Sequence, residues 1–199
     1  MNITTILLNE HRIIEQVLNC LERMVDRCES HRTLESGPAR DAIAFLRGFV
    51  DRCHDSRVDT QLLPAMRAEG IPPERCLGCS LRQRREECRF HLDAMEAAIK
   101  PASAGNAAAL KKFTEHAQTY VELMLGLIAS QEDCLFPMIA HAVREADNAR
   151  RTTANHEDDG EYVCNTYVDV ANRLADHFGA PRAVTADSAG NRSANEGSQ

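Results

Sequence analysis

The chain has 199 residues, 23 Lys and Arg against 30 Asp and Glu, and a formal net charge of -7. That length suits one domain with a tail, and the acidic balance argues against a nucleic-acid binder. Aromatic residues make up 5% without any Trp, which removes the stacking platforms of single-strand binders, while 43% hydrophobic residues suffice for one core.

The opening MNITTILLNEHR lacks a basic start followed by a long apolar run, so no signal peptide is read, and no stretch approaches the roughly 20 apolar residues of a membrane span. These features point to a cytoplasmic protein without membrane contact. Thiols stay reduced in that compartment. The eight Cys are then buried apolar residues, metal ligands or redox thiols rather than a disulfide framework.

Four segments carry helical periodicity. The first runs from about Thr4 to Cys28, with a 4-3-4-3 seam of Leu7, His11, Ile14, Leu18, Leu21, Val25 and Cys28. SHRTLESGPAR breaks it. The second runs from about Ala39 to Ala68, with Ile43, Leu46, Val50, Cys53 or His54, and Leu62 inward; Pro64 is expected to end or kink it. EGIPPERCLGCS follows as loop. The third runs from about Leu81 to Lys100, with Leu81, Arg85, Cys88, Leu92, Met95 and Ile99 as its seam, and KPASAGN stops it. The fourth runs from about Ala107 to Ala142, with Phe113, Ala117, Tyr120, Met124, Leu127, Gln131 and Cys134 or Leu135 inward. A polar stretch leads to a shorter apolar pattern from Tyr162 to Phe178, a fifth helix. Residues 179–199 are small and polar and read as a disordered tail after a domain of residues 1–178. No strand pattern competes. The expected fold is all-α, an up-down-up-down four-helix bundle with a short fifth helix. An internal repeat supports two similar halves, since LLPAM around Pro64 and LFPMI around Pro137 close the second and fourth segments alike.

At these residues a family resemblance becomes visible. LLNEHRIIEQVLNCLE resembles the opening of bacterial hemerythrin-like (HHE cation-binding) domains. FLRGFVDRCHDSRVDTQLLPAMRAEGIP resembles their second helix, and YVELMLGLIASQEDCLFPMIAHAV their fourth. The resemblance covers roughly residues 4 to 178. It implies a bundle holding two non-haem irons: a His from helix one, a His and a Glu four residues later from helix two, and the same set again from helices three and four. Carried onto this sequence, His11 and His54 stand at ligand positions. The Glu after His54 is replaced by Val58, with Asp59 one residue further on. The helix-three His falls on Arg85, the helix-four His on Leu127 and its Glu on Gln131. His91 and His116 lie one residue off the inward stripes and read as flank or surface histidines.

Two imidazoles alone bring no negative charge to a pair of cations. Asp59 could reach inward to join His11 and His54 in an irregular iron site, since five residues span just over one helical turn. Arg85 argues the other way, as a permanent cation expected to pair with Asp55 or Asp59. The cysteines give a second reading. Cys76, Cys79, Cys88 and Cys134 come from the pole of the bundle shared by His11, and Cys76-Leu-Gly-Cys79 has the spacing of a metal-gripping pair. Zinc, an iron–sulfur cluster or a redox pair could form there. Three functions follow as expectations: a metal-binding or redox sensor using the Cys-rich pole, a non-haem iron protein using His11, His54 and Asp59, and a metal-free regulatory scaffold. No catalytic residue is assigned, and catalysis enters only through a metal. A protein partner and a homodimer stay open.

Overall fold

The computed structural model describes residues 3–72, 80–139 and 160–183. These residues are all-α, with no strand among them. Helix α1 is Ile3–His31, α2 covers residues 36–68, α3 is Ser80–Ser103, α4 covers residues 107–139 and α5 is Gly160–Phe178. The five amphipathic segments read from periodicity are thus five helices, and their seams are the core. Leu7, Ile14, Leu18, Leu21 and Val25 of α1 are buried, as are Leu92, Met95 and Ile99 of α3 and Phe113, Ala117, Tyr120 and Met124 of α4. Burying such stripes, rather than intrinsic propensity, holds helices of this kind together.

Helix α1 packs on α4 and α5, α2 on α3 and α5, and α3 lies along α4. The turn between α3 and α4 uses Gly105 at φ 89°, a left-handed conformation that suits glycine. Asn106 then caps α4, its side chain accepting from the Ala109 N–H at 3.0 Å. Gly179, at φ 66°, ends α5 in the same way.

Both prolines disturb their helices in a way the sequence left open. Pro64 does not end α2, which continues to residue 68, the bound read from its apolar pattern. Instead the helix widens to a π segment at Val58–Leu62 just before the proline. Pro137 in α4 is preceded by the π segment Gln131–Leu135. Proline lacks the N–H for the bond to the fourth residue before it, and its ring crowds that carbonyl. Opening the preceding turn to five-residue bonds relieves both conflicts, and the sequence repeat is therefore a repeat of local geometry. A third π segment, Leu46–His54, lies within α2. Residues 179–183, read from the sequence as the start of a disordered tail, are ordered instead. Ala180 and Ala183 pack against the core, and the Ala183 N–H donates to Gln16 at 2.6 Å. Residues 184–199, the rest of that tail, lie outside the described residues.

Candidate buried histidine site

His11 and His54, from α1 and α2, meet in the interior. Their ring centroids are 4.9 Å apart, and both residues are buried. Each ring is held through Nδ1 by a carboxylate. His11 Nδ1 lies 2.9 Å from Glu132 Oε1 of α4, and His54 Nδ1 lies 3.0 Å from Glu10 Oε2 of α1. Both carboxylates are themselves anchored: Glu132 accepts from Arg12 at 2.9 Å, and Glu10 pairs with Arg57. Phe136 stacks on His11 at 5.5 Å, closing the ring's far side with an apolar face.

Burial, and then the His54 ring, push the His11 pKa down to about 4. The ring is therefore neutral at pH 7, and a proton on Nδ1, facing Glu132, leaves its Nε2 lone pair bare. That Nε2 and Oε1 of the buried Gln131 are both buried without an aligned hydrogen bond, with the Gln131 side chain close enough to act on the His11 ring. Unpaired polar atoms in an interior are uncommon and costly, and two of them mark this spot.

Beside the imidazoles lies an ion-pair cluster between α2 and α3. Arg85 Nε sits 2.9 Å from Asp55 Oδ1, an ion pair without an aligned hydrogen bond, and Arg85 Nη1 donates to Asp59 at 2.8 Å. Arg89 approaches Asp51 at 3.6 Å and Asp55 at 3.8 Å. Despite these cations, burial pushes Asp55 up to about 6. A cavity of about 10 Å³, room for one water molecule, lies among His54, Asp55, Arg85, Cys88, Tyr120 and Gln131.

The structure brings some of the expected site residues together and separates others. His11 and His54 lie together, at the positions that the resemblance implies. Arg85 faces inward and pairs with both Asp55 and Asp59. Asp59 is not an inward oxygen donor: its side chain is 52% exposed and held at the rim by Arg85, and Val58 fills the interior position beside it. Cys88 is buried, and desolvation followed by the charge of Asp55 pushes its thiol up to about 12, so it is protonated rather than a thiolate. Cys134 is half-buried in the π segment of α4. Cys76 and Cys79 lie outside the described residues.

Glu10 and Glu132 are the residues that sequence reasoning did not place. Glu132 pairs with His11 and with Arg12. Both sit one position from a seam residue, where an α-helix turns side chains about 100° aside. In the π segment each residue advances less, so Glu132 stays close to the inward stripe.

A two-iron centre does not fit these residues. Val58, Arg85, Leu127 and Gln131 occupy the remaining ligand positions that the resemblance implies, and Arg85 puts a fixed cation where such a centre needs anionic oxygens. Among the described residues, no three His, Cys, Asp or Glu side chains converge on one metal-sized point. Likewise, no helix among them is long and apolar enough to cross a membrane. Comparison with models of protein families, with curated proteins and with solved structures finds no match.

Proposed function

We propose that this chain is a divergent hemerythrin-like bundle, with α1 to α4 running up-down-up-down, that serves as a metal-binding sensor holding a single borderline divalent ion, iron or zinc, at His11 and His54. The observation that carries the reading is the pair of buried imidazoles, each held on Nδ1 by a carboxylate. That is the outer arrangement found behind metal-bound histidines, where the carboxylate fixes the tautomer and raises ligand basicity. Oε1 of Gln131, buried without an aligned hydrogen bond beside the His11 ring, supplies one further donor. Two imidazoles and one amide oxygen leave positions open, which suits an exchangeable ion of a sensor better than a closed structural site.

The test is elemental analysis of the full chain purified without oxygen, with iron, zinc and sulfide measured per chain. In a His91→Ala background one iron or zinc is expected, lost on adding His54→Ala and retained on adding Cys76→Ser/Cys79→Ser. Glu132→Gln should weaken the affinity about 10- to 100-fold, the usual effect of removing an outer carboxylate. Loss in the cysteine variant alone would move the site to the Cys-rich pole.

A second reading, a metal-free regulatory bundle, is favoured by one observation. Arg85 supplies a permanent positive charge between Asp55 and Asp59 and so neutralises the interior without a metal. It requires purified chain without metal and a melting temperature that ignores chelators.

A further inference from the structure

Away from the buried pair, two other histidines meet on the outer side of the α3–α4 hairpin. His91 Nδ1 and His116 Nδ1 are 2.9 Å apart, with ring centroids at 5.0 Å. Both rings are half-buried. The edge of Phe90, 62% exposed, stands against both, at 5.3 Å from His91 and 5.8 Å from His116. Such contact requires one nitrogen to donate and the other to accept, so the two rings share one proton between them. Glu87, one helical turn before His91 on α3, is near enough to act on its charge.

We infer that His91 and His116 form a second transition-metal site, a two-imidazole clip across the α3–α4 hairpin for a zinc-, nickel- or copper-like divalent ion. Imidazole is the ligand these borderline ions prefer. At a metal–nitrogen distance of about 2.0–2.1 Å and tetrahedral angles, two ligand nitrogens stand about 3.3 Å apart. The rings therefore need to separate by only a few tenths of an ångström, and each is on a rigid helix rather than a loop. In the neutral pair each ring carries one proton: as the ion binds, the proton in the contact moves by way of solvent to Nε2 of its own ring, and each Nδ1 gives its lone pair to the metal. Glu87 adds a favourable negative charge nearby, and water fills the remaining positions. With only two fixed imidazoles the ion exchanges readily, and its binding ties the hairpin whose far ends carry Arg85 and Gln131. The inference is independent of the His11–His54 reading.

The test is calorimetric titration of zinc chloride into the full chain carrying Cys76→Ser, Cys79→Ser and His54→Ala, so that neither the cysteine loop nor the buried pair contributes. One zinc per chain is expected, with a rise in melting temperature. Both effects should vanish in His91→Ala and in His116→Ala. Each variant removes a half-exposed side chain, and its circular dichroism should match the parent. Unchanged stoichiometry in the two variants, or saturation only at millimolar zinc, would overturn the site.

Discussion

At the residue scale, the buried His11 and Asp55 pull stability in opposite directions with pH. An exposed histidine takes up its proton at about 6.5, whereas folded His11 resists until about 4. As the pH falls between those values, the unfolded chain binds the proton first, so His11 subtracts up to about 3 kcal/mol of stability. Asp55 behaves conversely. Burial raises it from 3.8 to about 6, so on the same descent the folded chain binds the proton first and stability rises by a similar amount, about 3 kcal/mol. The two slopes offset each other between about pH 6 and 4. Asp55→Asn should leave a chain that loses stability steeply toward acid, and His11→Gln one that gains it, both followed as urea midpoints from pH 7 to 4. Parallel profiles for both variants and the parent would refute this balance. Neither effect was legible in the sequence beyond the placement of His11 on an inward stripe. The pairing of each imidazole with a neighbouring helix's carboxylate depends on packing at distances that no spacing rule contains.

At the scale of elements, the seams were legible because period and burial coincide. Arg85, Leu127 and Gln131 could be placed inward by counting alone, and so could the partners of Arg85 by charge. The prolines were legible as disturbances of α2 and α4, but not as π segments, since the cost of a missing N–H can be met by ending, kinking or widening a helix. The α2–α3 contact includes a buried ion pair, Arg85 with Asp55. Arg85→Met should cost about 3–5 kcal/mol by stranding Asp55 in the interior, and adding Asp55→Leu should recover most of it. Thermal or urea melts of the single and double variants check this coupling. The α2–α5 contact rests on a close approach instead. A Cβ at Gly48 would lie 2.0 Å from the Tyr167 hydroxyl, and Phe45 and Phe49 flank the same ring. Gly48→Ala is expected to lose about 1–3 kcal/mol through overpacking, although alanine is the better helix former. Tyr167→Ala in the same chain should make that substitution nearly harmless in a double-mutant cycle.

At the scale of the whole molecule, α5 completes the core. Ala171, Leu174, Ala175 and Phe178 are buried, and α1 reaches out to the helix end. Arg27 lies over the Phe178 ring at 4.7 Å and donates to the His177 carbonyl at 3.0 Å, while Arg23 donates to the Phe178 carbonyl at 3.3 Å. Cations at the C-terminal carbonyls favour the helix dipole and satisfy acceptors that the helix cannot. A chain stopped after residue 159 should therefore melt at a much lower temperature, by several kcal/mol of lost apolar burial, and bind a hydrophobic dye along α1 and α2. The fifth helix was legible from the spacing of its apolar residues. Its capping by α1 was not, because arginines on an exposed stripe look alike whether or not another helix ends above them.

The widened turns of α2 carry a consequence for how the chain tolerates changes in length. A turn closed by five-residue bonds holds one residue more than the turn it replaces. Deleting one residue within Leu46–His54 can return that stretch to ordinary α-helix while the flanking faces keep their orientation. The same deletion in α1, which has no such slack, would rotate everything beyond it by about 100° and turn its seam away from the core. Variants of this chain differing by one residue in that part of α2 should thus fold to the same arrangement, whereas one-residue variants of α1 should not.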